Sequence, residues 1–328
     1  MVKTSLLRSE FDCHKVGIIG AGDVVRRFYM PTLIKRPNII IRAICSAHGS
    51  SAMETAKKYN IPIHFTDYRE LINKSDVDTI FICTPPFTHR DIVEYALSNG
   101  KNVLVEKPVC TSYEDLKYLI SLAKRSTGVF YFTFNNRLRD ENQWLKNKIL
   151  NGNLGKIKLI DIEWLRKKPI PDNDWWHDPQ LSNGGVLADL GSHMIMISLG
   201  VIARRKNFNI ACINISDNRK SYMIEDLSIA TIMINDYILI NLKVGWGMSI
   251  SENARVNINM YCENGVISNH DFEGEKSDGY GYLIDEFFHY IKSGFQPDLS
   301  ILADTMKLLH SLYDSSRFHK VIAGEFDN

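Results

Sequence analysis

The chain has 328 residues, which is long for one compact domain, so two domains are expected. Its 39 Lys and Arg residues against 38 Asp and Glu residues leave a formal charge of +1. This balance argues against broad attraction to nucleic acid or to an anionic membrane, and favours a small-molecule partner. The six cysteines show no C-x-x-C spacing and nowhere do about 18 apolar residues run together, so we expect a cytoplasmic protein without membrane insertion.

Short apolar runs alternate with amphipathic stretches between residue 14 and about residue 133. The runs are HKVGIIG, IIIRAIC, DTIFICTP, KNVLVE and GVFYFTF, with helical patterns between them. Strands that are apolar on both faces and alternate with helices predict a parallel sheet covered by helices on each side, which is a doubly wound α/β domain. We assign it to residues 1–133.

The rhythm changes after residue 155, where longer strands follow one another with turn signals such as Asn235-Asp236 between them. They are predicted at 156–166, 208–216, 226–235, 237–246 and 254–262, and two closing helices near 280–293 and 300–317. Successive strands without helices between them predict an antiparallel or mixed sheet. Residues 134–328 should therefore form a second, α+β domain with a large, predominantly antiparallel sheet.

A glycine turn joins the first strand to the first helix in VGIIGAGDVVRRFYMP. Gly20 and Gly22 permit a tight turn that a dinucleotide pyrophosphate can approach, so these glycines with Asp23 and Val24 are candidate cofactor contacts. An ordinary tight turn is the alternative. The third fingerprint position is Val25 instead of Gly or Ala, and its branched side chain predicts a displaced turn.

The end of the second strand bears on the choice of cofactor. It reads ICSAHGSS and contains no carboxylate of the kind that holds the ribose 2'-hydroxyl of NAD. The side chains of Ser46, Ser50 and His48 could hydrogen-bond a 2'-phosphate, although no arginine accompanies them. We therefore expect NADP in preference to NAD, with a polar loop of no special role as the alternative.

Two opposite charges and a proline end the strand KNVLVEKP. Pro108 cannot continue a strand ladder and restricts Lys107 to extended geometry, so Glu106 and Lys107 should lie at the carboxyl edge of the sheet, where ligands of such sheets bind. A surface salt bridge at the strand end is the alternative.

A second unusual stretch, WWHDPQLSNGGVLADLGSHMIMI, places Asp189 and His193 four residues apart on a helix-like run. Three roles suit such a pair: acid-base chemistry, stabilisation of the helix, or two of the ligands of a metal site. We expect no metal, because no H-E-x-x-H motif is present and His177 is the one nearby candidate for a third ligand.

These stretches together resemble the Gfo/Idh/MocA family, the family of glucose-fructose oxidoreductase and inositol dehydrogenase. The resemblance covers nearly the whole chain: the glycine turn, CTPPFTHRDIVEYALSNGKNVLVEKP, FNNRLRD, GGVLADLGSH and YLIDEFFHYIKSGFQPD. It implies a Rossmann domain followed by a domain with an open-faced, predominantly antiparallel sheet, and a substrate held between the two.

The resemblance also implies roles for individual residues. Lys107 matches the catalytic lysine, Asp189 and His193 match the acid-base pair, and Glu106 and Pro108 match residues that position the lysine beside the nicotinamide. Further matches line the cofactor cleft, and these are Thr84, Pro85, Pro86, His89 and Asn135. Candidate substrate contacts are Arg137, Trp175, Trp176 and Tyr280. Asn183 and Met196 depart from the family pattern, which puts its usual sugar contacts in doubt.

The predicted function is an NAD(P)-dependent oxidoreductase that moves a hydride between the nicotinamide and a secondary alcohol or ketone of a sugar, polyol or sugar derivative. In this hypothesis His193 exchanges the substrate proton, Lys107 polarises the same oxygen or shares the transfer, and Asp189 orients the pair. An imine reductase using the same cleft and a non-catalytic NAD(P)-binding regulatory protein are the alternatives.

A homodimer or homotetramer is expected to form through the sheet of the second domain. Apolar residues alternate along SIATIMIN and ILINLKVGW, which leaves one face for helices and another for a partner subunit.

Overall fold

A six-stranded parallel sheet organises the first part of the computed structural model, which describes residues 13–168, 174–216 and 224–327. Its strands are β1 (His14–Ile19), β2 (Ile39–Cys45), β3 (Ile63–Phe65), β4 (Thr79–Ile82), β5 (Asn102–Val105) and β6 (Phe130–Phe132). They lie in the order β3-β2-β1-β4-β5-β6, and every neighbouring pair is parallel. The predicted doubly wound sheet is confirmed, and its order reverses between β1 and β4, where such sheets bind ligands.

The helices of this part are α1 (Met30–Leu33), α2 (Gly49–Tyr59), α3 (Tyr68–Lys74), α4 (His89–Ser98) and α5 (Tyr113–Ala123). A π-helical turn, Val25–Tyr29, precedes α1, and the N–H of Met30 donates to the carbonyl of Val25. Pro31 explains the wide turn, because proline has no N–H and its ring crowds the carbonyl four residues earlier. Val25 is fully buried at the start of that turn.

A seven-stranded mixed sheet follows. Its strands are β7 (Ile157–Arg166), β8 (Asn207–Ile215), β9 (Leu227–Ile234), β10 (Ile238–Gly245), β11 (Ala254–Cys262), β12 (Gly265–Ser268) and β13 (Ile322–Glu325). The order is β12-β11-β7-β10-β9-β8-β13, and only β7 and β10 pair in parallel. The predicted, largely antiparallel second sheet is confirmed. Asn235 and Asp236, both at positive φ, make the predicted turn between β9 and β10.

The remaining helices are α6 (Asp140–Asn151), α7 (Asp174–His177), α8 (Pro179–Ser182), α9 (Ser192–Leu199), α10 (Tyr280–Ser293) and α11 (Ser300–Phe318). A second π-helical turn, Leu187–Gly191, runs directly into α9, and single 3-10 turns occur at Pro86–Thr88, Asn135–Leu138 and Asn269–Asp271. Within the described residues, none of the helices combines the length and apolarity that a membrane span requires.

The two faces of the second sheet have different neighbours. Ile160 and Ile162 of β7 point to the inner face and are fully buried in one core with α9 and α11. On the outer face, Ile213 of β8 and Ile229 of β9 are register partners and remain 67% and 47% exposed. The outer face therefore exposes apolar side chains, together with polar ones such as Thr231 and Lys243, where the oligomer interface was predicted.

Helix α10 crosses from the second part of the sequence to the first sheet. Its residues Leu283, Ile284 and Phe287 are buried in one cluster with side chains of β1, β4, β5 and β6. The Phe287 ring lies 5.8 Å from that of Phe81 and 5.6 Å from that of Tyr131. The domain boundary at residues 133 and 134 stays a prediction, and this helix completes the core of the first sheet.

Candidate functional site

Lys107 lies at the carboxyl edge of the first sheet, just after β5, and a cis peptide bond joins it to Pro108. Its backbone N–H donates to Glu106 Oε2 at 3.0 Å and to Thr133 Oγ1 at 2.9 Å. Glu106 is buried and also accepts from the Tyr29 hydroxyl at 2.7 Å and the Thr133 hydroxyl at 2.8 Å. Glu106 therefore holds the lysine backbone, and the alternative of a surface Glu106–Lys107 salt bridge does not match this geometry.

The ammonium of Lys107 pairs with Asp189 of the π-helical turn that precedes α9. Lys107 Nζ lies 2.5 Å from Asp189 Oδ1 and 3.1 Å from the Asp189 carbonyl oxygen. The second carboxylate oxygen accepts from Arg166 Nη1 at 3.2 Å. Burial opposes ionisation of Asp189, but Lys107 and Arg166 outweigh it and hold its pKa below the usual range.

His193 lies one turn beyond Asp189 and is almost completely buried. Its ring centroid is 5.3 Å from that of Phe134 and 5.9 Å from that of Trp164. Burial, followed by the charge of Lys107, lowers the pKa of His193 to about 3, while Asp189 acts in the opposite direction. The imidazole is therefore neutral at pH 7, and its Nδ1 has no hydrogen-bond partner within the described parts of the chain.

The glycine turn fits a dinucleotide. Gly20 has a φ of +109°, and a Cβ there would collide with the carbonyl of Cys83 at the end of β4. A Cβ on Gly22 would meet nothing within 4 Å, so the backbone at the helix start borders open space. Exposed Asp23 accepts from Arg27 Nη1 at 3.1 Å, and Val24 begins the first helical turn. Open space above helix N–H groups is what a pyrophosphate needs.

The loop after β4 carries the cofactor candidates Thr84, Pro85, Pro86 and His89. The Thr84 and Thr88 hydroxyls lie 2.6 Å apart. His89, however, is fully buried, and its Nδ1 and Nε2 lie 2.8 Å from the Pro108 carbonyl and 2.7 Å from the Thr84 carbonyl. A neutral imidazole can donate to one of these two carbonyls and an imidazolium to both, so His89 connects the loop after β4 with the Lys107–Pro108 loop.

The end of β2 holds the residues predicted to select the cofactor. Ser46 is half-buried, and its hydroxyl lies 3.0 Å from that of Ser51, which donates to the His48 carbonyl at 2.8 Å. His48 and Ser50 are exposed at the start of α2. Burial, together with the charge of Asp67 on the loop after β3, raises the pKa of neighbouring Cys45 to about 12. The carboxylate of Asp67 therefore acts on this end of β2. It follows β3, whereas the prediction from sequence considered only the residues that follow β2.

The predicted substrate residues lie in different surroundings. The Trp175 and Trp176 rings stack at 4.6 Å on α7, and Trp176 packs edge-on against buried Trp246 at 6.1 Å. Arg137 donates to the Tyr131 hydroxyl at 2.5 Å and to Glu286 of α10 at 3.1 Å. Tyr280 is buried and stacks on Phe28 at 4.7 Å.

Asn135 is held in a similar way, because its Nδ2 donates to the Asp278 carbonyl at 2.8 Å. In this structure Arg137, Tyr280 and Asn135 all join the first sheet to α10 or to the turn before it. Their predicted contacts with substrate or cofactor stay predictions.

Sequence reasoning did not identify Arg166 or Trp164. The signal was present in IKLIDIEWLR, where Ile160, Ile162, Trp164 and Arg166 share one phase of the strand. An arginine on the apolar phase of a strand indicates a buried partner, and here that partner is Asp189. Within residues 13–168, 174–216 and 224–327, no three His, Cys, Asp or Glu side chains are grouped so that they could hold a metal ion.

Two family models match the chain. The Gfo/Idh/MocA oxidoreductase family with an NAD-binding Rossmann fold matches residues 14–134, and the C-terminal domain of the same family matches residues 142–268. D-glucoside 3-dehydrogenase of Escherichia coli (strain K12) is 25% identical over 261 residues, which are 76% of this chain and 74% of that protein.

A second relative and a solved structure extend the comparison. The dTDP-3,4-didehydro-2,6-dideoxy-alpha-D-glucose 3-reductase of Streptomyces antibioticus is 26% identical over 188 residues, which are 56% of each protein. A crystal structure of GenD2 from gentamicin A biosynthesis in complex with NAD superposes with a TM-score of 0.86 over 98% of both chains at 16% identity, which shows a common fold. The chain therefore belongs to the Gfo/Idh/MocA family and is an oxidoreductase with an NAD-binding Rossmann domain.

Proposed function

We propose that the protein is a dehydrogenase or reductase that interconverts a secondary alcohol and a ketone on a sugar, polyol or sugar derivative. The observation that carries the proposal is the Lys107–Asp189 ion pair, 2.5 Å long, beside a buried neutral imidazole at the carboxyl edge of the dinucleotide-binding sheet. Ligands of such sheets bind at that edge, so a substrate there would meet both groups.

A bound nicotinamide cofactor supplies the hydride acceptor or donor for this chemistry. The residues that would hold its pyrophosphate are Gly20, Gly22 and the first helical turn, where a side chain on Gly22 would meet no atom within 4 Å. Thr84 and the Pro85–Pro86 segment border the same edge of the sheet beside β1.

Lys107 is the proton-exchanging group in this proposal. As an ammonium it can give a proton to the oxygen of a ketone that accepts hydride; as the free amine, after releasing a proton to solvent, it can take the hydroxyl proton of an alcohol that loses hydride. Asp189 fixes its direction. Asp189 pairs with Lys107 and Arg166, so it orients the lysine.

His193 is assigned a different role from the one predicted. Because its pKa is lowered to about 3, its conjugate acid is scarce at neutral pH and it is a weak base. We therefore assign it a hydrogen bond to the substrate as a neutral imidazole, with Lys107 exchanging the proton.

Aromatic side chains of the second domain support a sugar or polyol substrate. Trp164 lies beside His193, and Trp164, Trp175 and Trp176 have flat apolar surfaces of the kind on which a sugar ring packs. Arg166 has five N–H donors, and its contact with Asp189 uses one. The names of two matched relatives place their reaction at position 3 of a hexose, so glucosides and 3-keto sugars are the first compounds to test.

The experiment tests a panel of glucosides, sugar nucleotides, inositols and their keto forms as substrates. Turnover is measured by the absorbance of the nicotinamide, with NAD(H) and with NADP(H). Lys107→Ala should lower kcat at least about a hundredfold while cofactor binding is kept. Lys101→Ala is the matched control, since Lys101 lies at the opposite, amino end of β5 and donates to the Val77 carbonyl at 2.8 Å.

Three results would contradict the proposal in different ways. Turnover by Lys107→Ala near the wild-type rate would remove this lysine from the mechanism. Turnover only when an amine is added with the carbonyl compound would assign an imine reductase. Cofactor binding without turnover of any compound would assign a non-catalytic NAD(P)-binding protein.

A further inference from the structure

The helical segment that carries Asp189 and His193 begins in an unusual way. A helix normally leaves its first four N–H groups without partners inside the helix. Here the four successive N–H groups of residues 185–188 all have partners, and these belong to Glu225 and Tyr313, which are distant in sequence.

Glu225 supplies most of these partners. It is buried just before β9, and its carboxylate accepts from the N–H of Gly185 at 3.0 Å on both oxygens and from the N–H of Leu187 at 3.0 Å. Its own carbonyl accepts from the N–H of Val186 at 3.0 Å. A negative charge at a helix start is also favoured by the helix dipole.

Tyr313 of α11 completes the arrangement. Its hydroxyl donates to Glu225 Oε1 at 2.7 Å and accepts from the N–H of Ala188 at 3.1 Å. Burial raises the pKa of Glu225, and the donors that reach its carboxylate from Tyr313, Leu187 and Gly185 oppose this shift by stabilising the ionised form. Burial, followed by the charge of Glu225, keeps the pKa of the Tyr313 phenol well above its usual value, so this phenol retains the proton that it donates.

The adjacent glycines Gly184 and Gly185 of the SNGGVLADLGSH stretch make room for these side chains. Gly184 has a φ of +114°, and a Cβ on it would collide with the Tyr313 hydroxyl. A Cβ on Gly185 would collide with the carbonyl oxygen of Glu225. The glycine pair is therefore required for the approach of Glu225 and Tyr313 to the helix start.

Asp189 is the next residue in this segment, and its N–H makes the first helical hydrogen bond, to the Gly185 carbonyl at 3.0 Å. It lies in the π-helical turn Leu187–Gly191, and such turns are frequent at functional sites. A rotation or shift of the helix start would move the Asp189 carboxylate directly, because Asp189 follows Ala188, whose N–H is the last of the four anchored groups.

We propose that Glu225 and Tyr313 are positioning residues that set the helix start so that Asp189 meets Lys107. The inference rests on the proposed function for its kinetic readout. Neither residue touches the Lys107 ammonium, and both act through the backbone of residues 185–188.

The first test is Tyr313→Phe, which removes one hydroxyl and keeps the ring. We expect kcat to fall about tenfold to a hundredfold at a temperature where the variant is folded, with cofactor affinity unchanged, because small misplacements of reacting groups have effects of this size. Tyr113→Phe is the control, since it removes a similar hydrogen bond, to Asp327 at 2.6 Å, without touching this helix. A kcat of Tyr313→Phe within about twofold of wild type would overturn the proposal.

A second readout needs no turnover. Crystal structures of Tyr313→Phe and Glu225→Gln should have the Asp189 carboxylate displaced beyond hydrogen-bond distance from Lys107, and unchanged pairing in both variants would overturn the proposal. Failure of the proposed function would instead appear as a wild-type protein without turnover, so the two failures are distinguishable.

Discussion

Two buried histidines should make the protein sensitive to mild acid. Burial lowers the pKa of His193 to about 3 and that of His89 to about 4, although backbone carbonyls beside His89 oppose this shift. In the unfolded chain a histidine has a pKa of about 6.5. Below that pH the unfolded state binds protons that the folded state excludes, so stability falls as the pH falls from about 6.5 towards the folded pKa values.

The size of the effect follows from the gap in pKa. A pH of 5 is about 1.5 units below the pKa of a histidine in the unfolded chain. For each histidine that stays neutral in the folded state, this difference lowers the free energy of unfolding by about 2 kcal/mol. His193 should therefore remove about 2 kcal/mol between pH 8 and pH 5, and His89 should remove less, because the carbonyls beside its ring favour the protonated form.

The assay is urea unfolding at several pH values between 5 and 8. His193→Asn should make the pH-dependent loss about 2 kcal/mol smaller than in wild type, because the substituted side chain does not titrate. His64→Gln is the control, since His64 is exposed on β3. If His193→Asn and wild type lose equal stability between pH 8 and pH 5, the reasoning from burial is refuted.

Three further predictions concern the ion pair, the cofactor and assembly. Asp189→Asn should cost about 3 kcal/mol of unfolding free energy, because it takes the shared carboxylate from the partly buried cations of Lys107 and Arg166. Asp285→Asn, at an exposed carboxylate paired with Arg36, should cost less than about 1 kcal/mol. Equal losses in urea unfolding would contradict this. Fluorescence titration should give tighter binding of NADPH than of NADH. The reverse order would contradict the preference for NADP and would indicate that the Asp67 carboxylate repels a 2'-phosphate at the end of β2. Light scattering should find a dimer or tetramer that Ile213→Lys converts to a monomer, and a monomeric wild type would exclude assembly through this face.

The strands of the first sheet were predictable because most are apolar on both faces, which no amphipathic helix would be. β3 was not predicted, since Ile63–Phe65 has three residues and contains an exposed histidine. Pro31 is a local signal for the π-helical turn at Val25–Tyr29, whereas the branched side chain of Val25 predicts only a displaced glycine turn. Local patterns thus identify elements well when burial acts on every residue of the element.

Partner choice within the site was less predictable. Lys107 has a carboxylate next to it in the chain, yet it pairs with Asp189, which is 82 residues away. The reason is that Glu106 and Lys107 alternate across the strand end, so Glu106 faces the hydroxyls of Tyr29 and Thr133. Placing Arg137 and Tyr280 correctly would have required knowing that α10 packs on the other domain's sheet, which no local pattern encodes.

The position of α10 has a consequence for how the chain acquires its structure. The strands of the first sheet all precede residue 133, but one face of the sheet is covered by side chains of Tyr280–Ser293. When the ribosome has added this helix, only about the last tenth of the chain is still to be made. Until then, Phe81 and Tyr131 lack the Phe287 ring that packs against both of them. Folding of the nucleotide-binding half should thus wait for near-completion of synthesis, and a fragment ending at residue 134 should aggregate.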